Sequence, residues 1–202
     1  MKQQVEDIKI IREMMERSSK FQSLNGLSLV VAGIAAIVGG VVAYTHVVKE
    51  ALNQGFYSSE DIRFLLIDAA SVLIIAIAAI TFSSWRKAKA NCQALLNKVT
   101  LRAAYNLSLP LVSGAVLCSI FLYRGDIAIL APMTLIFYGL ALVNASKFTF
   151  GEIHALGITE VILGLLAAIF LYNGIFFWIL GFGVAHIVFG SIIYFKYESN
   201  RK

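Results

Sequence analysis

Charged residues are scarce in this chain, and their scarcity excludes a soluble globular domain. They make up 14% of the 202 residues, whereas soluble domains carry about 25%. Hydrophobic residues make up 59%, and the mean hydropathy is +0.79. Such a chain has too few polar side chains to cover a water-facing surface. The composition therefore predicts an integral membrane protein whose first partner is the lipid bilayer.

Cysteine and proline are also rare, with two residues of each. Cys92 falls in a connecting segment and Cys118 inside an apolar run, so we expect no disulfide framework and no metal site. The chain has no zinc-protease, nucleophile-elbow or Walker motif. We therefore expect no enzyme and no cofactor. Pro110 lies in the first turn of a predicted span, where proline is tolerated.

Long apolar runs are abundant, and a helix that crosses a bilayer needs roughly 20 such residues. The runs predict an all-α protein with six transmembrane helices, arranged as three in-out-in hairpins within residues 23–197. The predicted spans are about 24–47, 62–85, 107–123, 127–146, 153–172 and 175–195. Residues 1–22 are predicted to form an amphipathic cytoplasmic helix, and residues 198–202 a cytoplasmic tail.

The distribution of Lys and Arg predicts the orientation of the chain. Cytoplasmic segments of membrane proteins carry an excess of these residues. On one side lie 14 of the 17: Lys2, Lys9, Arg12, Arg17, Lys20, Arg86, Lys87, Lys89, Lys98, Arg102, Lys147, Lys196, Arg201 and Lys202. The other side holds Lys49, Arg63 and Arg124. Both termini are therefore predicted to be cytoplasmic, and no signal peptide is apparent.

Two polar segments on the predicted cytoplasmic side are candidate interaction surfaces. Ile8, Ile11 and Met15 recur at helical spacing, and this stripe either caps the bundle or docks a cytoplasmic protein or a second copy. The connection 86–102, with Arg86, Lys87 and Lys89, has five basic residues and no acidic one. Anionic lipid is its expected partner, and nucleic acid is not expected to bind.

Two ionisable residues, Glu160 and His186, interrupt the last two apolar runs. Each lies 13 positions from Asn173, so an antiparallel hairpin brings them to the same depth. Ionisable groups inside a span are costly and normally find a partner in the bundle. Two interpretations stay open: a mid-membrane site for an ion, proton or ligand, and a structural hydrogen bond between helices.

Small residues share the helix faces of these two side chains. They are Gly157, Gly164 and Ala167 beside Glu160, and Gly183 and Gly190 beside His186. Since small residues let helices approach closely in lipid, we expect the two backbones to close up and the side chains to meet.

Asp68 is the third candidate for ligand or proton binding. It lies about two turns into span two from the outer side, with no basic partner on its own helix face. Tyr44, Thr45 and His46, at the end of span one, are its candidate partners. A water-filled outer vestibule is the alternative.

The second half of the chain contains an internal repeat. Residues 120–125 (IFLYRG) and 169–174 (IFLYNG) agree at five of six positions. Residues 136–139 (IFYG) also resemble residues 187–190 (IVFG). Both units run in, out and in, which predicts a parallel repeat of the kind found in some transporters.

The opening block resembles the start of small uncharacterised bacterial multi-pass membrane proteins. The resemblance is carried by residues 11–21 (IREMMERSSKF) and 24–28 (LNGLS), and it is looser along the spans. It implies a location in the bacterial inner membrane and assigns no functional residue.

These observations predict a sensing, regulatory or ligand-binding membrane module. A ligand or proton at the level of Glu160 and His186 would change helix packing, and the cytoplasmic helices would report the change. The alternative is a small oligomeric transporter or channel, which requires a polar path joining Asp68, the Glu160–His186 level and the cytoplasm.

Overall fold

The computed structural model describes residues 25–90 and 98–199, and every regular element in these residues is helical. Six helices are long and apolar enough to cross a membrane. We number them α1 (Gly26–Gln54), α2 (Ser59–Ala90), α3 (Lys98–Arg124), α4 (Leu130–Ala145), α5 (Gly151–Ile169) and α6 (Leu171–Tyr197). The predicted all-helical membrane bundle is therefore confirmed. The predicted amphipathic helix, with Ile8, Ile11 and Met15, lies outside the described residues.

Several helices extend beyond their predicted apolar spans. One is α3, which begins at Lys98, so Pro110 lies inside the helix and not in its first turn as predicted. The apolar run marks the part suited to lipid, whereas the helix continues through polar residues before it.

Two connections turn at glycine: Gly55 after α1 has a φ of 80°, and Gly125 after α3 has a φ of 84°. Residues other than glycine rarely adopt such backbone angles.

The helices pack in an order that leaves two of them at the periphery. Helix α1 contacts α2 and α6, α6 contacts α4 and α5, and α4 contacts α3 and α5. In α2 and in α3, only 6% of the most apolar 18-residue stretch of the helix is buried. In the other four helices, the buried share of the corresponding stretch is 28% to 50%. Helices α1, α4, α5 and α6 therefore form the packed centre, to which each contributes core residues such as Leu29, Leu142, Leu156 and Ile193.

Glycine sets the close crossing of α1 and α6. A β-carbon built on Gly33 would lie 2.7 Å from the carbonyl oxygen of Gly183, and one on Gly190 would lie 2.8 Å from that of Gly26. Real β-carbons essentially never approach backbone atoms this closely. Side chains larger than hydrogen would therefore force these two backbones apart.

A second glycine crossing joins α4 to α5. A β-carbon on Gly139 would lie 2.6 Å from the carbonyl oxygen of Gly157, and one on Gly164 would lie 2.9 Å from the backbone nitrogen of Ile136. The expectation that the glycines beside Glu160 and His186 close α5 against α6 is therefore wrong. A glycine stripe permits a close approach, but it does not specify which of several neighbouring helices approaches.

Polar contacts tie the helices together where α1 begins and α6 ends, which we call the terminal end. Glu198 accepts hydrogen bonds from the Lys87 ammonium and from the backbone N–H of Gly26, each at 3.1 Å through Oε1. On the other side of α6, Glu152 accepts from Lys196 at 2.7 Å and from the Tyr197 hydroxyl at 3.2 Å. The last turn of α6 thus connects α1, α2 and α5.

Candidate functional site

Helix α5 places Glu160 in the packed centre of the bundle. Its side chain is fully buried, on the same helix face as buried Leu156, Gly157 and Gly164. Because Gly157 and Gly164 draw α5 against α4, the carboxyl group between them is enclosed by both helices and by α6. Full burial of a carboxyl group demands hydrogen bonds or charge compensation.

Helix α6 approaches Glu160 through a segment of π-helix, Ile179–Ala185, that ends just before His186. Such wide turns are rare in proteins. Where one occurs, it is frequently part of a functional site. Within it, Gly181 faces the carboxyl group: a β-carbon there would overlap Glu160 Oε2 and would lie 2.5 Å from Leu135 Cδ2. The Glu160 carboxyl group therefore occupies the space that a side chain at position 181 would fill.

His186 has three polar neighbours. Its Nδ1 lies 3.3 Å from Glu160 Oε1 and 3.1 Å from the carbonyl oxygen of Gly181. Its Nε2 lies 2.9 Å from the hydroxyl of Tyr138, which belongs to α4. The Tyr138 and His186 rings also stack, with centroids 5.5 Å apart. The site therefore joins α4, α5 and α6.

The hydrogen-bond partners assign the protons of the neutral imidazole. A carbonyl oxygen only accepts, so Nδ1 carries the proton that is donated to Gly181. Nε2 then accepts from the Tyr138 hydroxyl. A second proton on the ring would reverse this last bond, since the imidazolium donates from both nitrogens.

The carboxyl oxygens of Glu160 are the unsatisfied atoms of the site. Neither makes a hydrogen bond to any residue in the described part of the chain, although both are buried. The Nδ1 atom of His186 is close enough to Oε1 for charge attraction, but it is not aligned as a hydrogen-bond donor. Unmade hydrogen bonds of this kind cost about 1 to 3 kcal/mol each.

Tyr138 is a residue of the candidate site that the sequence alone did not indicate. The sequence pattern points to partners within the α5–α6 hairpin, whereas Tyr138 lies on α4, 48 residues from His186. Its ring also begins an aromatic series that continues through Phe182 to Trp178, with 5.0 Å between centroids at each step. A tyrosine beside Gly139, within the repeated segment, was the available signal.

Asp68 does not join the Glu160–His186 pair. Its carboxylate is half-buried in the seam between α1 and α2, where a β-carbon on Gly39 would lie 3.3 Å from Oδ2. The next residue, Gly40, faces Ile179 of α6 on the opposite side of α1. The α1 helix therefore separates the two carboxyl groups.

The residues predicted to partner Asp68 make other contacts. The Thr45 hydroxyl donates to the carbonyl oxygen of Val41 at 2.9 Å, and the His46 ring lies 5.9 Å from that of Phe64. Tyr44 is exposed, and no contact joins it to Asp68. These residues lie one turn or more beyond Gly39, the residue that Asp68 contacts, so their partnership with Asp68 stays a prediction.

The three basic candidates at the end of α2 differ in their surroundings. Lys87 is mostly buried against Glu198. Arg86 and Lys89 are exposed, and each lies over the ring four residues earlier, Arg86 over Phe82 at 5.9 Å and Lys89 over Trp85 at 5.4 Å. Of these three side chains, those of Arg86 and Lys89 are therefore the ones open to the surroundings of the bundle.

Within residues 25–90 and 98–199, no group of three His, Cys, Asp or Glu side chains is arranged to hold a metal ion. Comparisons with protein-family models, curated proteins and solved structures find no match for this chain.

Proposed function

We propose that this protein is a membrane sensing or regulatory module whose input is a proton or small ligand at Glu160, His186 and Tyr138. The output is a change in the packing of α6 against α1, which reaches the terminal end. The observation that carries this proposal is that two acceptors, Gly181 O at 3.1 Å and Glu160 Oε1 at 3.3 Å, lie close to the same nitrogen of His186, Nδ1, so that a small movement of the ring would make them compete for its proton.

This competition gives the site two arrangements. With a neutral Glu160 carboxyl group, the shorter contact of 3.1 Å favours donation from Nδ1 to Gly181. With an ionised carboxylate and a protonated His186, the carboxylate becomes the stronger acceptor, because charge-assisted hydrogen bonds are about twice as strong as neutral ones. An occupant that donates to the unsatisfied Glu160 oxygens would shift the same balance.

The π-helical segment connects this balance to the rest of the bundle. Gly181 belongs to that segment, and two of its other residues, Ile179 and Gly183, pack against Gly40 and Gly33 of α1. Release of the Gly181 carbonyl from His186 would let the segment relax and would shift α6 along α1. The same helix ends in the contacts of Glu198 with Gly26 and Lys87.

The orientation and surroundings belong to the same proposal. The sequence pattern assigns 14 of the 17 Lys and Arg residues to the membrane side of the two termini, and we therefore propose that the terminal end faces the cytoplasm of a bacterial cell, with the helices as in-out-in hairpins in the inner membrane. Exposed Arg86 and Lys89 then meet anionic lipid. The output would pass to a cytoplasmic partner or a second copy.

The alternative of a transporter or channel is less well supported by the contacts. It needs a polar path from Asp68 to Glu160, and the residues packed on either side of α1 at this level are Val72 and Ile179, both apolar. The parallel repeat remains an argument for transport. Its two matching turns differ, since Gly125 has a φ of 84° and Gly174 a φ of −52°.

Trp178 is a built-in reporter for the proposed switch, because it joins the aromatic series that leads to His186. We would record its fluorescence against pH in lipid nanodiscs, using Trp85→Phe to remove the second tryptophan. The proposal predicts a pH-dependent transition in this protein. Glu160→Gln should abolish the transition, because the glutamine cannot ionise.

His154→Gln is the matched control. His154 lies on the same helix as Glu160, is exposed, and contacts Ser146 at 3.2 Å, so its replacement should leave the transition unchanged. A transition that survives in Glu160→Gln would refute a proton input at Glu160, and a signal that does not change with pH when Glu160 is present would refute a proton input altogether. In the second case, titration with candidate small ligands would have to move the Trp178 signal, or the sensing proposal fails.

A further inference from the structure

Asp68 occupies an unusual place for a carboxyl group. It lies on the stripe of α2 that faces α1, together with half-buried Leu65, Val72 and Ala76. Its oxygens lie 3.3 and 3.5 Å from where Gly39 would carry a β-carbon. The opposite face of α2 is exposed and apolar, including Ile67 and Ile74 at 64% and 66% exposure. Asp68 itself is only half-buried, so the seam that holds it is open to the surroundings of α2, which at this exposed apolar face are lipid.

No described residue neutralises this carboxyl group. The nearest hydroxyl on its own helix, that of Ser71, donates to the backbone oxygen of Asp68 and not to its side chain. The facing part of α1 offers buried Ala36, Gly39 and Ala43, which have no polar side-chain atoms. An ionised aspartate inside a span costs about 2.5 to 3.5 kcal/mol, and a partner or a proton normally removes that cost.

We infer that Asp68 is a second proton-binding site, open to the lipid at the α1–α2 seam and independent of the Glu160–His186 pair. The protonated carboxyl group fits the small-residue surface of α1 without a charged partner. Loss of the proton would place a charge between the two helices and would favour their separation, since water must then enter to solvate it.

The charged and titratable groups around the seam lie nearer the loop between α1 and α2. On α2 they are Arg63, one and a half turns before Asp68, and Glu60 and Asp61 before it; on α1 they are Tyr44 and His46, with Lys49 and Glu50 nearer the end of the helix. Asp61 accepts hydrogen bonds from Ser58, and His46 lies against Phe64. None of these groups contacts the Asp68 carboxyl group.

An apolar carbodiimide tests this inference, because it partitions into lipid and reacts with protonated carboxyl groups. The acid proton passes to a carbodiimide nitrogen while the carboxyl oxygen bonds to the central carbon. The O-acylisourea that forms keeps every atom of both reactants. We would treat the full chain in nanodiscs with dicyclohexylcarbodiimide and locate the adduct by peptide mass spectrometry at a series of pH values.

The expected result is one adduct on Asp68 that declines as the pH rises and is lost in Asp68→Asn. Glu160, which is fully buried, and Glu60, which is exposed before the apolar stretch, serve as internal comparisons and should stay unmodified. The inference is overturned if Asp68 stays unmodified at every pH, or if its labelling does not depend on pH. A normal far-UV circular dichroism spectrum for Asp68→Asn would establish that loss of the adduct is not loss of the fold.

Discussion

Gly33→Ala tests whether the crossing of α1 and α6 depends on backbone contact. A methyl group at this position would lie 2.7 Å from the carbonyl oxygen of Gly183 and 2.7 Å from Ile187 Cγ1. Ordinary contact begins at 3.4 Å, so the helices must separate by about 0.7 Å. A backbone oxygen cannot rotate away as a side chain can, and the whole crossing must therefore shift.

The magnitude follows from two opposing effects. Overpacking a close contact costs about 1 to 3 kcal/mol, and a rigid backbone neighbour places this site near the upper limit. Alanine in place of glycine stabilises a helix by about 1 kcal/mol. We therefore expect Gly33→Ala to lower the free energy of unfolding by about 2 kcal/mol.

Equilibrium unfolding by SDS in mixed micelles, followed by far-UV circular dichroism, measures this difference. Gly151→Ala is the matched control, because it makes the same chemical change in a helix where a β-carbon has no neighbour within 4 Å. Because Gly151 is the first residue of α5, where the helix propensity of an interior position does not apply in full, we expect that variant to change the unfolding free energy by no more than about 0.5 kcal/mol. Equal effects for the two variants, or a stabilised Gly33→Ala, would refute the close crossing.

Two further predictions concern polar contacts. Tyr138→Phe keeps the ring and removes the hydroxyl that bonds to His186 Nε2, so it should destabilise the protein by about 1 to 3 kcal/mol in the same assay; no loss of stability would contradict that bond. Glu198→Gln removes the charge that faces Lys87, where both side chains are mostly buried. It should cost about 1 kcal/mol at low salt and less at high salt, and a cost that does not change with salt would argue against an ion pair.

The six helices could be predicted from the sequence because each one carries its own signal. A run of apolar residues long enough for a bilayer is a local property, and it needs no knowledge of the neighbouring helices. Counting from Asn173 also placed Glu160 and His186 at a common depth, since both follow a regular rise on either side of one turn. The structure brings their side chains to 3.3 Å.

The partner helices could not be predicted in the same way. Gly157 and Gly183 both predicted close approaches, yet Gly157 meets α4 and Gly183 meets α1. In lipid, every helix surface is apolar, so hydrophobic patterning does not distinguish a face that meets lipid from one that meets another helix. Tyr138 was missed for this reason, because its place beside His186 depends on which side of the α5–α6 hairpin is covered by α4.

Gly181 shows what a side-chain pattern cannot reveal about a site. Glycines in spans were interpreted as positions of backbone contact, but Gly181 makes room for a carboxyl group from the neighbouring helix. The π-helical segment around it turns its carbonyl oxygen toward His186 Nδ1, five residues later. In a regular α-helix that oxygen would accept from the backbone four residues later. In a π-helix it would accept from the backbone five residues later, which is His186, so the wide turn is where this oxygen and the His186 ring meet, and the proposed switch depends on that contact.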